Sequence, residues 1–196
     1  MRRYGSVIAI QRRQLPTNLT QYMIKTLPAS LFLLALVSSS FAGDFKLPDD
    51  KPTCTLSIPD SWKPEAYSDP VDGVSAQTED AAVFICIECV DTKSVASVMD
   101  QSAKWFKKNG VDIDQSSLKT NDKFLINGMD GSLFSWTGKD KDGPCMIQMA
   151  LLPTQGDKGV LVEYWASPDA DKQYSPEVTK IIQSIKPVAA TVAADK

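Results

Sequence analysis

Beyond residue 53, hydrophobic and polar positions mostly alternate with period two. Two stretches of helical period interrupt them. Cys54, Leu56 and Ile58 alternate with Thr55 and Ser57, the pattern of a half-buried strand. Pro59-Asp60-Ser61 ends that run, and Pro64, Pro70 and Asp72-Gly73 break up the next dozen residues. Val74 to Gln77 predicts a short strand. Over Ala81–Val90, Val83, Ile85, Ile87 and Cys89 share one face, and Phe84, Cys86, Glu88 and Val90 share the other. Both faces are largely apolar, which predicts a central strand covered on both sides.

From Thr92 to Lys108 the period changes. Val95, Val98, Met99, Ser102 and Phe106 form one helical stripe, which leaves Trp105 off it. Asp91 or Thr92 can cap the start, and Asn109-Gly110 closes the end. Strands are expected over Asp112–Lys119, Lys123–Ile126, Met129–Thr137, Cys145–Leu152 and Val160–Trp165. Asn127-Gly128 signals a tight hairpin, and Asp140 to Gly143 and Gln155 to Gly159 supply further turns. A last helix is predicted with Ser175 as N-cap, Pro176 at its first position and Val178, Ile181, Ile182 and Ile185 on one face. A short turn starting at Ser167-Pro168-Asp169 is expected before it, and Pro187 stops it. This order predicts an α+β fold, a mainly antiparallel sheet with helices packed on it.

The N-terminal residues read differently. Met23 and Lys25 precede an apolar run from Leu31 to Val37 that ends in Ser40-Phe41-Ala42. That is the layout of a secretory signal peptide over 23–42, cut after Ala42. The run is shorter than the roughly 20 residues that cross a bilayer. With no cysteine at the cut, the expected product is secreted or periplasmic and not membrane-spanning. Residues 1–22 hold all four arginines and no acid. They read as a start assigned too early or as an Arg-rich targeting extension. Residues 43–53 read as a polar leader, 54–187 as one domain and 188–196 as a fraying tail.

After the predicted cut, 16 lysines face 24 acids, a net charge of −8, with no arginine and no histidine. The acidic balance argues against nucleic acid, whose phosphates call for basic patches. The missing histidine removes Ser-His-Asp and Cys-His catalysis and His-ligated metals.

The remaining chemistry is cysteine chemistry. Cys86-Ile87-Glu88-Cys89 has redox spacing, but a redox pair of this kind opens a helix, and this one lies in a strand. An odd spacing on a strand puts the two thiols on opposite faces, with Cα atoms roughly 10 Å apart. A mutual disulfide needs about 4.4–6.8 Å. The four cysteines of an exported chain are therefore expected to pair structurally, as 54–86 with 89–145 or as 54–89 with 86–145. The alternative is a thiol-disulfide oxidoreductase or thiolate metal binder using Cys86 and Cys89. Gly138 to Gly143 fails as a calcium loop, because Gly138 and Met149 stand where acids are needed. Ser116-Ser117-Leu118-Lys119 matches S-x-x-K but lies in a strand pattern, not at a helix start. Trp62, Tyr67, Trp136, Tyr164 and Trp165 suit core packing better than a ligand pocket, and Trp105 is a candidate interface anchor.

Several stretches resemble the PsbP-like superfamily, including its Mog-type, DcrB and LpqN groups. These are Leu56 to Trp62, Asn127 to Gly131, Leu161 to Trp165, and Val178 to Pro187. The resemblance implies an α/β/α sandwich and an accessory or binding role, and it brings no catalytic residue. The expectation is a non-enzymatic envelope protein without cofactor, whose partner is an unidentified protein or small ligand.

Overall fold

In a computed structural model, residues 42–69 and 71–188 are described. Residues 1–22, most of the signal segment and the tail beyond 188 lie outside them. Eleven strands and two helices are assigned among the described residues. A three-stranded sheet is built from β1 (Ala42–Leu47), β2 (Cys54–Pro59) and β11 (Lys186–Pro187), with β2 in the middle.

The larger sheet has eight strands. These are β3 (Glu65–Tyr67), β4 (Gly73–Gln77), β5 (Val83–Asp91), β6 (Asp112–Ile113), β7 (Lys119–Ile126), β8 (Met129–Asp140), β9 (Gly143–Pro153) and β10 (Lys158–Ala166). Its order is β3-β4-β5-β10-β9-β8-β6, with β7 also paired to β8, and its neighbouring strands run antiparallel. The helices are α1 (Val95–Lys108) and α2 (Pro168–Ser184). This is the α+β architecture that the pattern predicts.

Parity along β5 and β10 divides the core in two. Val83, Ile85, Ile87 and Cys89 join Val160, Val162 and Tyr164 on one face. That face is covered by Leu56 and Ile58 of β2 and by Val178, Ile181 and Ile185 at the end of α2. Val90, Leu161 and Trp165 lie on the opposite face with Ile147 and Met149. Phe106 of α1 is fully buried there, with Val98, Met99 and Trp105 packed beside it.

Three sequence expectations change. The stretch read as a leader supplies β1, because Phe45 and Leu47 turn inward and the strand pairs with β2 from Ala42↔Pro59 to Leu47↔Cys54. The run over 112–119 is not one strand: the Asp114 carboxylate accepts from the Ser116 amide at 3.0 Å and folds Gln115–Ser117 into a 3-10 turn. The last helix begins eight residues early, at Pro168, with Ser167 as N-cap and Pro176 inside it. The two Ser-Pro-acid starts are alike in sequence. The first wins because Ala170 is buried against the sheet and Tyr164 donates to Asp171 at 2.9 Å. The Asn127-Gly128 turn forms as predicted, with φ of 47° and 84°. Asn127 Nδ2 also donates to the carbonyls of Gln183 and Ile185, both at 2.7 Å, fastening the hairpin to the end of α2.

Candidate functional site

The α1-facing side of β5 and β10 is apolar except at one place. Register sets Ser75, Cys86, Glu163 and Met149 in one cross-strand row. The adjacent row on the same face is Tyr67, Gly73, Glu88 and Leu161. Tyr67 comes from the three-residue edge strand β3 and lies back over Gly73. A Cβ at Gly73 would sit 2.6 Å from the Tyr67 Cζ and Oη, so only glycine leaves the ring its seat.

From that seat the Tyr67 hydroxyl donates to Glu88 Oε1 at 2.7 Å and lies 2.8 Å from Cys86 Sγ. The phenol has one hydrogen, and Glu88 takes it. Cys86 is then the donor to Tyr67, giving a chain of bonds from thiol to phenol to carboxyl. Glu163 is 6% exposed and meets Ser102 of α1. The Ser102 hydroxyl also donates to the Val98 carbonyl at 3.1 Å.

The electrostatics of this cluster all run one way. Burial pushes the Glu163 carboxyl up from 4.5 to about 7, the Glu88 charge adds to it, and the Ser102 bond opposes it. Burial likewise raises Glu88, against the bonds from Tyr67 and Cys86. The Cys86 thiol is driven well above its ordinary value, by burial first and then by Glu163 and Glu88. Tyr67 is raised by burial, then by Cys86 and Glu88. No lysine is among the groups that shift any of the four. Two buried carboxyls without a cation favour their protonated forms. The cluster is therefore suited to holding protons, and a thiolate between two acids is disfavoured.

All four cysteines are buried and free. As parity predicts, Cys86 and Cys89 lie on opposite faces, Cys89 in the core under the small sheet. Cys54 joins Cys89 there; its thiol is pushed up to about 12, by burial and then by Cys89 beside it. Burial also raises Cys89, opposed by a bond to Thr53, whose Oγ1 lies 3.8 Å from its sulfur.

Cys145 belongs to the α1-facing core, where burial and Asp140 push it up to about 11. It shares a face with Cys86 but not a neighbourhood. Cys86 aligns through Glu163 with Met149, four residues along β9 from Cys145 and two strands away. At about 3.3 Å per residue and about 4.8 Å per strand, that is roughly 16 Å, beyond any disulfide. The 54–86 and 89–145 pairs would each have to cross the sheet. Of the expected pairings only 54–89 is geometrically open.

Trp105 is half-buried, not free in solvent: its ring stacks on Phe84 with centroids 5.2 Å apart. It lies off the stripe because β5 offers Phe84 as an apolar seat to the side of it. The five other aromatics do not line one pocket. Trp62 and Tyr164 are in one core, Trp136 and Trp165 in or against the other, and Tyr67 belongs to the polar cluster. Asp140 to Gly143 forms a hairpin turn closed by Asp140 Oδ1, which accepts from the Asp142 amide at 2.8 Å. Among the described residues, no group of acids and cysteines is arranged to hold a metal.

Sequence reasoning missed the Tyr67–Cys86–Glu88–Glu163 cluster. One signal was available: Glu163 is the only acid within Lys158–Ala166, and it sits at an inward position of an otherwise apolar run.

No protein-family model matches the chain, and neither does any curated protein. Solved structures do. Cyanobacterial PsbP from Synechocystis is 8% identical over 78% of this chain and 95% of its own, with a TM-score of 0.48. LpqN, involved in cell envelope biogenesis of Mycobacterium tuberculosis, is 13% identical over 76% and 92%, with a TM-score of 0.46. A protein of unknown function from Pseudomonas aeruginosa, a suggested regulator, is 14% identical over 76% and 99%, with a TM-score of 0.40. PsbP and LpqN are two of the groups to which the sequence pointed, and the resemblance is remote.

Proposed function

We propose that this chain is an exported, non-enzymatic binding or accessory protein of the cell envelope. The observation that carries the reading is the state of its thiols. They are the groups in the sequence best suited to thiol redox catalysis, and burial raises all four. A catalytic dithiol needs the opposite, an accessible thiol of lowered pKa. The signal segment over 23–42 supports export. A cut after Ala42 would remove only one residue of β1, the one opposite Pro59. Trp105 contributes an aromatic surface for a partner, with its ring held in place by Phe84.

The test is thiol accessibility in the folded protein together with an insulin-reduction assay. The expected result is no alkylation of Cys86, Cys89 or Cys145 until denaturant is added, and no catalysed reduction of insulin. Fast native labelling of Cys86 or Cys89, or turnover of insulin, would sink the reading and favour the oxidoreductase. N-terminal sequencing of the exported product checks the cut: Gly43 should be the first residue.

A further inference from the structure

A cleft of about 750 Å³ opens where the small sheet meets the turn between β9 and β10. Lys46 of β1, Lys51 and Thr53 of the following loop, Thr55 of β2, Gln155 of the turn and Val188 line it. That volume is in the range of small-molecule sites. In a chain of net charge −8 after the predicted cut, its lining carries two lysines and no acid.

Register adds a third cation. Lys46 and Lys186 both stand opposite Thr55, one on each side, so the three side chains share one face of the small sheet. Asp49 and Asp50 precede Lys51 in the loop, and Asp157 follows the turn, but none of these lines the cleft. Asp157 is ion-paired to Lys93. Among the described residues, Lys46, Lys51 and Lys186 have no carboxylate partner, and the Thr55 hydroxyl has no hydrogen-bond partner. Lysines on edge strands discourage sheet-to-sheet pairing. That role accounts for Lys46 and Lys186, but not for Lys51 in the loop or for the concavity between them.

We propose that this cleft binds a small organic anion. Lys46 and Lys51 hold its carboxylate or phosphate head, Thr55 donates to it, and Val188 with the lysine stems lines its apolar body. The inference rests on the binding-protein reading and names a ligand class for it. Lysine ammonium groups act as point charges, so they select charge more than head geometry.

The experiment is an NMR titration of the isotope-labelled exported chain with hexanoate and, separately, with inorganic phosphate. Expected are saturable amide shifts at Thr53, Thr55, Gln155 and Gly156 that weaken with added salt. Tighter binding of hexanoate assigns a role to the apolar wall, and tighter binding of phosphate assigns the head as a dianion. Either result supports the site. K46E/K51E should lose roughly tenfold or more in affinity, while K172E/K180E on the exposed face of α2 should bind normally. Both pairs are solvent-exposed, so the variants should fold. No saturable shift with either probe, or shifts unchanged in K46E/K51E, would overturn the proposal. Native alkylation of the same sample tells this failure from failure of the binding-protein reading, which would show as labelled Cys86 or Cys89.

Discussion

Replacing Glu163 by Gln keeps the size of the side chain and removes its titration. In the native protein the carboxyl holds its proton up to about pH 7, whereas the ordinary value is 4.5. Between those limits the folded chain binds a proton that the unfolded chain has released. Stability must then fall as pH rises from 4.5 to about 7, and level off above it. Each tenfold change in proton affinity is about 1.4 kcal/mol, so the loss at one nearly fully buried group is about 3 kcal/mol.

Glu163→Gln should remove most of that loss. The variant should match the wild type at about pH 5 and exceed it by about 3 kcal/mol at about pH 8. Glu88 is raised as well, so a slope of the same sign should remain. Urea unfolding followed by tryptophan fluorescence at the two pH values measures both quantities. Equal stability of wild type and variant at alkaline pH, or a variant weaker there, would refute the account of Glu163 as a protonated group without a cation.

The same packing sets three further outcomes. Gly73→Ala should displace Tyr67, lower stability by about 1–3 kcal/mol and speed alkylation of Cys86, which thermal melts and peptide mapping would show. Expression in an oxidising compartment should yield at most one disulfide, Cys54–Cys89. It would be seen as a mass two hydrogens below the reduced chain and would stabilise by roughly 2–4 kcal/mol; a mapped Cys86–Cys145 bridge would contradict the strand register. Asn127→Ala removes both bonds to the end of α2 and should lower stability by about 1–3 kcal/mol in urea titrations, with faster amide exchange at Gln183 to Ile185.

The alternation over Ala81–Val90 and Val160–Trp165 carried much of the fold, because a buried strand repeats its face every second residue and Cys86 and Cys89 obey that rule. Short elements were less legible. β1 has only Phe45 and Leu47 to announce it, and β3 is three residues long. The start of α2 was ambiguous because Ser167-Pro168-Asp169 and Ser175-Pro176-Glu177 carry the same signals, and tertiary contacts of Ala170 and Asp171 separate them. The polar cluster was hidden for another reason. Tyr67, Glu88 and Glu163 lie on three strands whose adjacency is a fact of sheet order, which local pattern does not specify. The Cys86–Cys145 pairing was misjudged on the same ground, while Cys54–Cys89 stays open: parity places Cys86 and Cys145 on one face, but only register reveals the distance along it.

β2 lies between the first and last strands of the described domain, and Leu56 and Ile58 beneath it are fully buried. During synthesis, that layer cannot be completed until Lys186 and Pro187 have emerged to take their place beside Thr55 and Cys54. A chain stalled before those residues would leave β2 with an open edge and its apolar underside only partly covered by α2. The last two strand residues thus close the small sheet, and the layer over Leu56 and Ile58 is finished only when the far end of the described chain is in place.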